Sequence, residues 1–126
     1  MPCDPPLDER ELEILQLLWR HGPLKPAELQ ARVSFDVKNP ALRWLLNDML
    51  ERGYVQRAKE GKAFRYRAAV ARRPALAALG RKLRNVLFGG STVAMIGELI
   101  QTQKLSAEDI DYLKEVVRKA ETERRS

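Results

Sequence analysis

The sequence predicts a mainly α-helical fold with one small β-hairpin, placed between three N-terminal and three C-terminal helices. Three observations predict it. Apolar residues recur at spacings of three and four before residue 53 and again after residue 74, the period of amphipathic helices. Between residues 54 and 69 the period switches to two, the period of a half-buried strand. Positive charge is concentrated around that switch: residues 38–73 carry net +7, against −3 for residues 1–37 and +2 for residues 74–126.

The first helix is expected over residues 7–21. Asp8 is its N-cap, and Glu11 stands three residues on, as in a capping box. Leu12, Leu15, Leu18 and Trp19 share one face, with Trp19 as a core anchor. Gly22 and Pro23 stop the helix. The second helix covers residues 26–33, with Pro26 at its first position and Leu29 and Val33 inward. The third starts with Asn39 as cap and Pro40 at the first position, and runs to Arg52 before Gly53. Its inward stripe is Leu42, Leu45, Leu46, Met49 and Leu50. Arg43, Trp44, Asn47, Asp48 and Glu51 lie on the other side.

Residues 55–58 and 63–67 alternate apolar with polar, and Lys59-Glu60-Gly61-Lys62 reads as a charged turn in which Gly61 supplies a positive φ. Arg57, Arg65 and Arg67 have the parity opposite to Phe64 and Tyr66, so one face is expected to pack and the other to present guanidinium groups.

Three helices followed by a basic hairpin is the order of a winged helix-turn-helix. The third helix is then the recognition helix for the major groove, and the hairpin is the wing, touching phosphate or minor groove. Candidate DNA-binding residues on the recognition helix are Lys38, Asn39, Arg43, Trp44 and Asn47. Arg suits guanine and Asn suits adenine. For Trp44, packing on the wing and burial in the core are alternatives. Candidates on the wing are Arg57, Lys59, Gly61, Lys62, Arg65 and Arg67. The implied partner is double-stranded DNA, because a focused basic segment on a folded domain is the footprint of a polyanion. A winged helix that serves as a protein–protein interaction module, with Trp44 as its anchor, is the other reading.

The module boundary is expected at residues 68–74, giving a DNA-binding domain over 1–70 and a helical dimerisation domain over 71–126. Leu76, Leu79, Leu83 and Leu87 mark a fourth helix over residues 74–88, ended by Gly89-Gly90-Ser91. Ile96, Leu99 and Ile100 mark a fifth over 92–102. A sixth starts at Ser106, with Asp109 closing a capping box. It carries Ile110, Leu113, Val116 and Val117 before a charged tail from Glu121. About 45 residues of short amphipathic helix make a thin core on their own. Burial of these apolar residues against a second copy is therefore expected, with folding back on the winged helix within one chain as the alternative, and a two-fold dimer matches a palindromic site.

Other functions lack their residues. The chain has one cysteine, Cys3, in a Pro-rich stretch, and one histidine, His21, too few for a zinc site, a disulfide or a Cys–His pair. No glycine-rich phosphate loop follows a strand, and no nucleophile–base set occurs, so neither enzyme activity nor a cofactor is expected. No apolar run approaches a membrane span and residues 1–6 lack a signal-peptide pattern, so the expected location is cytoplasmic, without a membrane partner.

Several stretches together resemble the penicillinase-repressor family of bacterial regulators (BlaI/MecI-type, with copper-responsive CopY-type relatives). They are Glu13 to Trp19, Ala41 to Val55, Glu60 to Tyr66, Leu87 to Ser91 and Leu105 to Ile110, within residues 7–118. The resemblance implies an N-terminal winged helix, a C-terminal dimerisation domain, dyad operators, and an unidentified inducer or protease as a further partner. Two features depart from the family. Ala41, Trp44 and Asp48 stand where many members carry threonines and an arginine. Glu98-Leu99 stands at the place where the members that are cut have an Asn-aromatic or Asn-apolar bond in the fifth helix, so proteolytic induction is not carried over. Copper sensing is excluded because the C-terminal cysteine cluster is missing.

Overall fold

A computed structural model describes residues 8–125. Leu7, Cys3 and the other residues outside that range carry expectations on which the structure does not bear. The chain divides into two compact units between Leu83 and Arg84. The element order is α1 (Glu9–His21), α2 (Pro26–Arg32), α3 (Asn39–Glu51), β1 (Val55–Glu60), β2 (Ala63–Ala68), α4 (Arg72–Leu87), α5 (Thr92–Thr102) and α6 (Ala107–Arg125). The mainly helical fold with one hairpin is thus as the sequence predicts.

The first unit is built on one apolar core. Ile14, Leu15 and Leu18 of α1, Leu29 of α2, and Leu42, Leu45, Leu46 and Met49 of α3 are buried together with Tyr54, Val55 and Tyr66. The helical stripes supply most of this set, since residues three and four apart share a face. Leu12 and Trp19 are only half-buried. Trp19 still acts as an anchor, because its indole Nε1 donates to the Val70 carbonyl at 2.9 Å. That bond holds the chain leaving the hairpin against α1. The wing is held from its other side by Leu24. Its backbone exchanges two 2.8 Å hydrogen bonds with Tyr66, adding a one-residue bridge to β2.

Helix ends follow the expected chemistry with two corrections. Asp8 caps α1 through its side chain, which accepts from the Arg10 amide at 2.8 Å. The Arg10 guanidinium hydrogen-bonds the same carboxylate, and that bond first, then the amide, holds the Asp8 carboxyl below its ordinary value. Glu11 does not close a capping box onto Asp8; it is buried and ion-paired with Arg52 instead. At α3 the cap is Lys38 rather than Asn39, which is the first helical residue and donates a long 3.5 Å bond to Gln30. A Schellman motif ends α3. Gly53 adopts φ +85° and donates to the Leu50 carbonyl, and Tyr54 donates to that of Met49. Glycine takes that φ without the penalty a Cβ would bring.

In the second unit, Ser91 caps α5 by accepting from the Ala94 amide at 3.0 Å. Ser106 and Asp109 form the reciprocal capping box of α6, both bonds at 3.0 Å. The helix continues through Arg125, so the segment from Glu121 is its last turn rather than a separate tail. No residue of α5 or α6 is buried, and Val93, Ile96, Leu99, Val116 and Val117 are exposed. No helix among the described residues is long and apolar enough to cross a membrane.

Candidate nucleic-acid interface

The wing is an antiparallel pair whose register fixes where each cation points. Glu60 pairs with Ala63, so the loop is the two-residue Gly61–Lys62. Gly61 has φ +64° and, among the described residues, no non-glycine residue has positive φ, so Lys62 has negative φ and the pair has the φ signs of a type II′ turn. Lys59 and Glu60, read from sequence as part of the turn, belong to β1.

This turn corrects the expected division of faces. Directly opposed residues in an antiparallel pair share a face. Arg57 opposes Tyr66 and Lys59 opposes Phe64, so Arg57 lies with the aromatic residues and not with Arg65 and Arg67. Parity holds along one strand only, and a two-residue turn joining Glu60 to Ala63 inverts it between strands. The Arg57 guanidinium stacks 4.2 Å from the Phe64 ring centre and donates to the Tyr66 hydroxyl at 3.2 Å. Tyr66 is buried, whereas Phe64 stays partly exposed.

Between this face and α3 lies an open groove of about 500 Å³. Arg43, Trp44 and Asn47 line it from α3, and Arg57, Lys62 and Phe64 from the wing. Its lining holds three cations and no carboxylate. Trp44 is 69% exposed, which rules out the core alternative. Alternation along β2 alone assigns Phe64 to the packing face; the cross-strand register is the signal that puts it in the groove.

The remaining candidates sit elsewhere. Arg65 bonds Glu60 at 2.6 Å, the Pro23 carbonyl at 3.1 Å and Glu28 at 3.4 Å, forming a strut from the wing to the start of α2. The hydrogen bond from Arg65, followed by the charge of Arg65, lowers the Glu60 carboxyl below its ordinary value. The same hydrogen bond, helped by the charges of Glu60 and Glu28, raises the Arg65 guanidinium. A carboxyl with a depressed value keeps its contribution above the ordinary carboxylate range. The strut therefore weakens as pH falls through that depressed value. Arg67 bonds Gln56 on the face away from the groove. Lys38 and Lys59 are exposed, and Asn39 is half-buried at the α2–α3 turn. Asp48 shares α3 with the groove residues, yet its charge is paired with Arg52 at 3.0 Å.

A helix pair, α2 and α3, followed by a hairpin that flanks α3 defines a winged-helix fold of the kind found in transcription regulators. Residues 7–119 match the penicillinase repressor family, and the chain belongs to it. A penicillinase repressor from Bacillus licheniformis is 21% identical over 115 residues, covering 90% of each chain. Among solved structures, a transcriptional regulator from Thermotoga maritima superposes with a TM-score of 0.54 at 19% identity. That match covers 95% of this chain and 80% of the other. A MarR family protein from Bacillus stearothermophilus gives 0.53 at 19% identity, covering 96% and 77%. These two likenesses are likenesses of fold.

Proposed function

We propose that this chain is a transcriptional repressor that binds double-stranded DNA as a homodimer on a palindromic operator in the cytoplasm. The observation that carries the proposal is the cationic groove between α3 and the wing, where Arg43 and Asn47 stand beside Arg57 and Lys62. Family membership supports the repressor role, and the curated relative bears the name of a repressor. In this reading α3 enters the major groove. Arg43 and Asn47 meet base edges, and Lys38, Arg57, Lys59 and Lys62 meet phosphates. Arg65 supports the wing from behind, because its guanidinium is engaged by Glu60, Glu28 and Pro23. Residues 1–70 form the DNA-binding domain and residues 71–126 the dimerisation domain. The exposed apolar residues of α5 and α6 are the surface that a second copy would cover.

Footprinting the purified protein on DNA upstream of its own gene tests this reading, together with titration of duplex at rising salt. The expected result is protection of two half-sites about a dyad, one helical turn of DNA or a multiple apart, with affinity that falls as salt rises. Binding that is absent, or insensitive to salt, would overturn it and favour a protein-binding role for the exposed Trp44.

Two substitutions separate positioning from readout. Lys62→Ala weakens binding to all sequences alike and reduces the salt slope by about 0.9 per half-site, the loss of one phosphate contact. Arg43→Ala costs about 1–3 kcal/mol and relaxes preference at one base pair per half-site. Selection from a randomised half-site reads the second effect, and unchanged base preference would remove Arg43 from the reading set.

A further inference from the structure

Trp44 is chemically out of place in its surroundings. The groove it lines is otherwise set with Arg43, Asn47, Arg57 and Lys62, groups suited to phosphates and base edges. The large apolar side chain of Trp44 stands among them at 69% exposure. It takes no part in the core of the first unit. Phe64, the other aromatic ring exposed in the groove, is covered on one side by the Arg57 guanidinium at 4.2 Å. Among the described residues no guanidinium stacks on Trp44, and its exposed side chain lines the groove.

On the reading that α3 enters the major groove, the choice of contact is narrow. Base edges there present hydrogen-bond donors and acceptors and one apolar group, the C5-methyl of thymine. An indole has a single N–H donor and a broad apolar face, so its best match is that methyl. We propose that Trp44 is a specificity-determining residue that selects a thymine in each half-site through apolar contact with its C5-methyl. Trp44 is adjacent to Arg43 and one helical turn before Asn47 on α3, so its thymine lies next to the base pairs those two residues read. The inference rests on the DNA-binding reading above. It adds that part of the operator preference is carried by an apolar contact, which salt leaves largely untouched.

The test replaces thymine with deoxyuridine, which removes the methyl and keeps every hydrogen-bonding group. The duplex is the footprinted upstream DNA, amplified with either nucleotide, and the proteins are the full chain and its Trp44→Ala variant. Burying one methyl gives about fourfold in affinity, so the wild type is expected to bind the uracil duplex about fourfold more weakly per half-site. The variant is expected to bind both duplexes equally, at about the wild type's affinity for the uracil duplex. A wild type indifferent to the replacement would overturn the proposal, as would equal weakening of wild type and variant, which would put the methyl contact elsewhere. Failure of the wild type to bind even the thymine duplex is a different result, since it removes the DNA-binding reading itself.

Discussion

Leu46→Ala is expected to lower the stability of the first unit by about 2–5 kcal/mol, the range for truncating a fully buried leucine. Leu46 has no exposed surface, and it lies in the same cluster as Ile14, Leu29 and Met49. Shortening it removes apolar burial and leaves a cavity that α1, α2 and α3 can close only partly. A small domain has about 5–15 kcal/mol in total, so this one change takes a large share. Urea denaturation followed by tryptophan fluorescence would measure it, because Trp19 is held against the unit by its bond to Val70. DNA binding should fall as well, since the inward stripe of α3 sets the direction of Arg43 and Asn47. The control is Trp44→Ala on the exposed side of the same helix, expected to change stability by less than about 0.5 kcal/mol. Equal stability of Leu46→Ala and wild type would mean that the core does not hold α3.

How far the fold was legible follows from how local each signal is. The helical stripes of α1 and α3 are written within a few turns of chain, and the structure buries Leu15, Leu18, Leu42, Leu45, Leu46 and Met49 accordingly. The Ser106–Asp109 capping box is equally local. The faces of the wing were not legible from parity, because which face Arg57 shares depends on the pairing across Gly61–Lys62. The tertiary uses of Arg65 and Glu11 were also hidden. Arg65 meets Pro23 and Glu28, and Glu11 meets Arg52, only after the helices have packed. Asp48, an acidic residue on the outer side of α3, has its charge offset by Arg52 four residues on, a pairing that the helical spacing permits but that the residue types alone do not reveal.

Arg52→Ala is the second large effect, and it arises from one of those hidden contacts. The Glu11 side chain is 8% exposed and Arg52 is its cationic partner, at the C-cap of α3. Arg52 also bonds Asp48 and lies 5.2 Å from the Tyr54 ring centre. Removing the guanidinium leaves a carboxylate in the core without its counter-charge, a change that costs about 3–5 kcal/mol when both partners are buried. Arg52 is 40% exposed, so water reaches the site and the expected loss is smaller, about 2–4 kcal/mol. Arg52→Lys keeps the charge without the planar fork that serves two carboxylates at once, and should fall between wild type and alanine. The double variant Glu11→Gln with Arg52→Ala should recover part of the loss, because the charge that was stranded is gone. If the double variant is no more stable than Arg52→Ala alone, the cost lies in the Asp48 and Tyr54 contacts instead. DNA affinity offers a separate readout. Arg52→Ala releases the negative charge of Asp48 on the recognition helix, so binding at low salt should weaken more than stability alone explains, and added salt should narrow the difference.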